Sequence, residues 1–115
     1  MGKILTRDEI LRAQDLETVE VDVPEWGGVV RVRGLTGAER DALEAEAAEL
    51  RRPLDNFRAR YVARCIVDEN GERIFSDEDI EALGRKSAAA LNRVFEAAVS
   101  LSALTEEDVE ALEKN

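Results

Sequence analysis

The sequence predicts an α+β fold, mostly helical, in which one β-hairpin over about residues 18–34 packs with four to five α-helices. Two patterns carry that expectation. Val19, Val21 and Val23 alternate with Glu20 and Asp22, and Val30 and Val32 alternate with Arg31 and Arg33, on either side of a Pro24-Glu25-Trp26-Gly27-Gly28 corner. Alternation at period two marks half-buried strands, and a glycine pair between two such runs marks a hairpin. Elsewhere, apolar residues recur at three- and four-residue intervals behind Ser or Thr, as in capped amphipathic helices. A chain of 115 residues without internal repeat or low-complexity linker is expected to be one domain over 1–115. That length suffices to bury roughly 65% of the unfolded surface.

Taken in order, Thr6-Arg7-Asp8-Glu9 is a capping box that opens a short helix over about Arg7–Ala13, with Ile10 and Leu11 expected to point inward. In the hairpin, a two-residue turn at Trp26-Gly27 sets Val23 opposite Val30 and Val21 opposite Val32. The same register sets Asp22 against Arg31 and Glu20 against Arg33. One face is then all valine, and each opposite-charge pair on the other contributes about 0.2–1 kcal/mol. A one-residue slip would destroy both patterns. Thr36-Gly37-Ala38-Glu39 is a second capping box, opening a helix from about Gly37 to Arg51 whose narrow apolar face is Ala38, Leu43, Ala47 and Leu50. Pro53 disfavours helical backbone at Arg52 and ends it. Asn56 or Asp55 caps the next helix, where Leu54, Phe57, Tyr61, Val62, Cys65 and Ile66 form the strongest apolar stripe in the chain. Asn70-Gly71 is a tight-turn signal across which Ile66-Val67 and Ile74-Phe75 can pair. Ser76 caps a short helix over about Asp77–Leu83, ended by Gly84, and its leading acids complement the positive end of the helix dipole. A longer helix from about Lys86 to Ser102 carries Leu91, Val94, Phe95, Ala98 and Leu101 on one face, and Thr105 opens a last one with Val109 and Leu112. Phe57, Tyr61, Leu91 and Phe95 are expected to share one core.

The charge balance excludes several functions. With 26 acidic and 16 basic residues the formal net charge is −10, and no basic tract exists to track a phosphate backbone, so neither nucleic acid nor an anionic membrane surface is an expected partner. No apolar run approaches the roughly 18–20 residues of a membrane span. The N-terminal Met1-Gly2-Lys3-Ile4-Leu5-Thr6-Arg7 lacks a signal-peptide core, and Arg7 does not suit a myristoylation site at Gly2. A cytoplasmic address is the default. Cys65 stands alone, without a disulfide partner, and the chain has no His to activate a thiol, so Cys65 reads as a small buried hydrophobe. One Cys and no His build no zinc site. A calcium loop starting at Asp68 needs glycine at its sixth position and glutamate at its twelfth, where Arg73 and Asp79 stand. No acid sits within an apolar stripe, and no phosphate-binding loop or nucleophile elbow occurs. No cofactor, metal or enzymatic activity is expected.

Binding is the class that remains, and the corner carries its candidates: Pro24, Trp26, Gly27, Gly28, Arg31 and Arg33. A residue chosen only for a turn would be small, so Trp26 either folds its ring back over the valine face or stands out as an anchor for a partner, tryptophan and arginine being enriched in binding hot spots. Arg31 and Arg33 divide between cross-strand pairing, the first expectation, and contact with an acidic partner. The ribbon's edges are open to strand addition.

Order and spacing add a family resemblance. The stretch from Glu17 to Glu44 is followed by Asn56-Phe57-Arg58-Ala59-Arg60-Tyr61-Val62-Ala63-Arg64-Cys65, by Asp68-Glu69-Asn70-Gly71-Glu72-Arg73-Ile74-Phe75, by Leu83-Gly84-Arg85-Lys86-Ser87-Ala88-Ala89-Ala90-Leu91, and by Leu104-Thr105-Glu106. Collinear from about Leu5 to Lys114, these segments resemble the tail assembly chaperones of long-tailed bacteriophages, although none alone is as specific as a metal or nucleotide motif. The resemblance implies a small protein that handles the tape measure protein during tail morphogenesis and is absent from the finished virion. It also implies a longer version, made by ribosomal frameshifting, whose extra domain engages the major tail protein; this chain would be the short form. Self-association is a further expectation. Coating a long helical chain with strongly acidic subunits would hold the coated assemblies apart, and weak contacts suffice where many subunits bind one chain. Two rival readings remain at this level. A structural tail component, such as a tube-end or connector subunit, fits poorly with so little strand sequence. An acidic regulatory or inhibitory protein that mimics nucleic acid fits poorly with basic residues interspersed throughout.

Overall fold

The computed structural model describes residues 2–50 and 55–102. Among them are a three-stranded antiparallel sheet and five α-helices, so the expected α+β class, mostly helical, is what the chain adopts. The elements run α1 (Arg7–Arg12), β1 (Thr18–Val23), β2 (Gly28–Arg33), α2 (Gly37–Leu50), α3 (Phe57–Cys65), β3 (Ile66–Val67), α4 (Ile80–Gly84) and α5 (Ala88–Leu101), with single 3₁₀ turns at Pro24–Trp26 and Asp77–Asp79. The helix end expected at Pro53, the place of Leu54, the side chain of Leu50 and the helix expected after Thr105 lie outside the described residues.

The hairpin forms, and both faces are those expected, but its register is not. Val21 pairs with Val30, Val19 with Val32 and Glu20 with Arg31, while Val23 lies opposite Gly28 rather than Val30. The reason is the turn. Pro24 presets its own backbone for a helical turn, so Pro24–Trp26 coil into a 3₁₀ turn closed by a 3.0 Å bond from the Gly27 N–H to the Pro24 carbonyl. Gly27 then reverses the chain at φ 77°, a left-handed conformation that suits glycine. The connection takes four residues instead of two, which slides the pairing by two. Two is the side-chain period of a strand, so each residue keeps its face while changing its partner. Glu20 now meets Arg31, 3.7 Å apart, Asp22 sits opposite Val29, and Arg33 sits opposite Thr18.

Beyond the hairpin, β3 pairs through Val67 with Arg31 and through Ile66 with Val32, making β2 the central strand and leaving β1 at an edge. The return across Asn70-Gly71 is slight: Val67 bridges Arg73, and the Ile74 N–H donates to the Ile66 carbonyl at 3.4 Å. Gly71 takes φ 83° at the bend, where the Asp68 carboxylate accepts from the Asn70 and Glu72 N–H groups.

The core lies between the valine face and the helices. α5 lies across β1 and β2, and α3 packs against both α4 and α5. Phe57, Tyr61, Leu91 and Phe95 are all buried in one cluster, as the periodicity required. Burial pushes the Tyr61 hydroxyl up to about 12. α2 is attached more sparingly. Leu43 and Ala47 are buried but Ala38 is exposed, and the buried Arg64 of α3 donates to Glu46 of α2 at 2.8 Å. Caps appear where the sequence placed them at Thr6 and Thr36, and α5 has one that was not expected, with the Ala90 N–H donating to Ser87 Oγ. At Ser76 the Asp79 carboxylate reaches back to the Ser76 N–H at 2.9 Å. Asn56 holds the capping position of α3 with φ 54°, but its side chain makes no capping bond.

One expectation fails outright. Ile10 and Leu11 do not point inward: they are 57% and 66% exposed, and α1 buries none of its residues. The capping box and a Lys3–Glu9 ion pair form within the segment itself. Local sequence therefore explains the helical turn, but nothing in the described chain covers its apolar side.

Where β2 leaves the sheet, Gly34 lies against the end of α5. A Cβ there would stand 2.8 Å from the Leu101 carbonyl oxygen and 3.0 Å from its carbon, both backbone atoms. The adjoining Leu35 N–H donates to Ser102 Oγ at 2.8 Å, which ties the same junction. Gly34→Ala is therefore expected to cost about 1–3 kcal/mol, the range for overpacking a rigid site. Urea denaturation measures it, and a cost below about 0.5 kcal/mol, the ordinary range of surface substitutions, would show that the junction yields.

Candidate partner-binding site

The six candidate residues separate into three groups. Pro24, Trp26, Gly27 and Gly28 stay together at the hairpin tip, Arg31 lies midway along β2, and Arg33 lies at its far end. Five residue-to-residue steps of strand, about 17 Å, separate Gly28 from Arg33.

At the tip, the two readings of Trp26 resolve into one geometry. Its ring is partly buried and packs against the core, and its remaining surface lines a groove of about 410 Å³ with Phe75, Ala82 and Leu83. Glu25, Asp79 and Lys86 rim that groove. The tip is fastened by Glu25, whose two carboxylate oxygens accept from Arg93 of α5 at 2.7 and 3.0 Å. Those bonds hold the Glu25 pKa down at about 2. Pro24, Gly27 and Gly28 remain exposed around the groove.

Arg31 is half-exposed beside Glu20 on the outer face of the sheet, away from the helices that cover the valines. Arg33 is buried. Its guanidinium forks onto Glu39, Nη1 to Oε1 at 2.8 Å and Nη2 to Oε2 at 3.0 Å, and Nη1 also donates to the Gly34 carbonyl at 2.9 Å. Glu39 Oε1 accepts from the Thr36 N–H as well, so one carboxylate both caps α2 and clamps β2. Burial acts to raise the Glu39 pKa, but Arg33 and the Thr36 N–H outweigh it and hold it below the ordinary 4.5. The Arg33 guanidinium is thus occupied within the fold.

Cys65 is buried in the core, and burial pushes its thiol up to about 12, consistent with a packing role rather than a nucleophile. Among the described residues no group of three or more acids or cysteines is placed to hold a metal, and no helix is long and apolar enough to cross a membrane.

Further apolar residues are exposed. Val29 and Ile74 stand 59% and 51% exposed around a shallow hollow on the outer sheet face, and Ile4, Leu5 and Leu16 are exposed in the N-terminal segment beside Ile10 and Leu11, which were expected to be buried. The only signal for Val29 was its parity: it falls on the charged face of β2.

The family model for phage tail assembly chaperones matches residues 7–115, nearly the whole chain. The chain belongs to that family. It is accordingly a non-enzymatic phage assembly factor, and its family's partners are tail proteins. The fold agrees: the chain is similar to the solved structure of the bacteriophage HK97 tail assembly chaperone, with a TM-score of 0.59 and 20% identity over 82% of this chain and 90% of that one. At that identity the likeness concerns the fold alone. No curated protein matches. Among the described residues, partly exposed apolar groups meet charged side chains at the tip groove and on the outer sheet face.

Proposed function

We propose that this tail assembly chaperone binds the tape measure protein of its phage and keeps it soluble until the tail polymerises. On this reading it works in the host cytoplasm as a single unit over residues 1–115 and is left out of the finished virion. The observation that carries the proposal is the family match over residues 7–115. The acidity of the chain supports it, since subunits of like charge arrayed on one long helix repel neighbouring assemblies. A longer, frameshifted companion would engage the major tail protein.

The tip groove is the surface we assign to the tape measure. Trp26 and Phe75 offer a partly exposed aromatic wall, and Glu25 and Asp79 oppose Lys86 across it, suited to one apolar stripe of a helix. Pro24, Gly27 and Gly28 let that helix approach the backbone.

Co-expression tests the proposal. The tape measure protein should be insoluble alone and should co-purify with this chain when both are made together. Trp26→Ala should weaken capture about tenfold or more, as expected of a hot spot worth over ~1.4 kcal/mol. A tape measure equally insoluble with and without the chain would end the reading. Stoichiometric recovery of the chain from mature virions would replace it with a structural tail component.

A further inference from the structure

On the reading that the tape measure protein occupies the tip groove, we infer that the groove selects helical stretches carrying one acid and one base two turns apart, with apolar residues between them. The demand comes from the wall that α4 contributes. Four lining residues, Asp79, Ala82, Leu83 and Lys86, fall at the i, i+3, i+4 and i+7 positions of one helix face. The backbone is helical along that run: Asp79 ends the 3₁₀ turn, α4 follows over Ile80–Gly84, and Arg85 keeps helical dihedrals. The Lys86 N–H still donates to the Leu83 carbonyl at 3.1 Å. At 1.5 Å per residue the acid and the base stand about 10 Å apart along the wall, with the apolar pair between them. Ala82 is exposed and small, so a second helix can approach closely there. Trp26 and Phe75 complete the apolar lining.

The occupant follows from which charges are still available. Glu25 is committed to Arg93 by two bonds, and the nearby Glu81 and Arg85 bond to each other at 2.9 Å. Asp79 gives only Oδ2 to Ser76, accepting from its N–H at 2.9 Å and its hydroxyl at 3.3 Å. Lys86 is exposed, and among the described residues nothing engages its ammonium. The groove therefore offers one acid and one base at the two ends of a single apolar strip. A segment with two acids would set like charge against Asp79, and a segment with two bases would set like charge against Lys86. A segment with one of each satisfies both ends, running parallel or antiparallel to α4 according to their order. Apolar contact supplies the affinity, while the charges choose the segment and fix its register.

Fluorescence tests the inference, because Trp26 is the only tryptophan in the chain and its emission reports the groove directly. The probes are three synthetic helices of about 18 residues, long enough to hold helical structure, without tryptophan or tyrosine. Each carries leucine at i+3 and i+4, and they differ only at i and i+7: acid with base, two acids, or two bases. Titrated into the full chain at low salt, the acid–base helix should bind at least about threefold tighter than either other, a size that suits exposed charge pairs. Sodium chloride at about 0.5 M should erase the ranking by screening. Lys86→Glu alters an exposed side chain, so the variant should melt within about 4 °C of the parent, and it should move first place to the two-base helix. Three helices of equal affinity, an order unchanged by salt or by Lys86→Glu, or no Trp26 response up to about 1 mM would each overturn the inference. Co-expression separates it from the reading beneath it. Capture of the tape measure protein that Trp26→Ala weakens and Lys86→Glu leaves unchanged would remove the charge requirement and keep the groove. Absence of capture would overturn the tape measure reading, whatever order the helices show.

Discussion

Replacing Phe95 by alanine should lower the stability of the fold by about 3–5 kcal/mol, the cost of emptying a well-packed aromatic site. Phe95 joins the two central helices. Its ring meets Tyr61 of α3 edge-on at 5.1 Å between centroids and Phe57 at 5.9 Å, and those two rings meet each other at 6.1 Å. Edge-to-face pairs of this kind contribute about 0.5–1.5 kcal/mol each beyond simple burial. The Arg58 guanidinium lies 5.0 Å from the Phe95 centroid and covers its outer side. The substitution therefore removes apolar volume, two ring contacts and a cation–π contact at once. Alanine is the best helix former, so α5 itself gains no local penalty. Small domains hold only about 5–15 kcal/mol in total, and the loss should be plain in urea denaturation. A change below about 1 kcal/mol would mean that α5 packs peripherally, contrary to the cluster seen here. Phe95→Leu, which keeps more of the volume, should cost less.

Arg33→Ala is expected to cost about 3 kcal/mol, the lower end of the range for breaking a buried ion pair. The penalty comes from the partner left behind. Without the guanidinium, Glu39 keeps only its bonds to Thr36, from the N–H and the hydroxyl, for its charge in a mostly buried position. Replacing both residues by methionine should recover part of the loss, because no unpaired charge remains, although the α2 cap goes with Glu39. Arg33→Lys keeps the charge without the planar fork and should fall between. The pH dependence separates this account from simple loss of packing. The pair holds the folded pKa of Glu39 below 4.5, so the unfolded chain takes up its proton first as pH falls. The stabilisation is complete above the unfolded value and is lost as pH drops through the lower folded one. Arg33→Ala should therefore be most damaging near neutral pH and converge on the parent in acid. An equal deficit at pH 3 and pH 7 would refute the electrostatic account. The same experiment asks whether Arg33, a candidate contact by its place in the sequence, stabilises the fold.

Much of the fold was legible because its signals are local. Alternation over Val19–Val23 and Val30–Val32 set which side chains face the helices, and Thr6 and Thr36 announced helix starts with bonds a few residues long. The stripes Phe57-Tyr61-Val62-Cys65 and Leu91-Val94-Phe95-Ala98 identified the two core helices, since burying either face requires the other. The candidate tip was legible for a similar reason: a tryptophan in a glycine-rich corner is costly unless it packs or binds.

What the sequence by itself determined, then, was the face on which each strand or core-helix residue lies, while the tertiary structure decided the partner it meets there. A period of two cannot tell one even register from another, so the choice fell to the Pro24–Trp26 turn and to Arg93, which holds the tip through Glu25. That shift paired Glu20 with Arg31, and Arg33 came to rest on Glu39. Nothing local distinguishes Ile10 and Leu11 from core residues either. Amphipathic pattern reports that a surface needs covering, and only the arrangement of the whole chain reveals whether its own core covers it or leaves it to a partner.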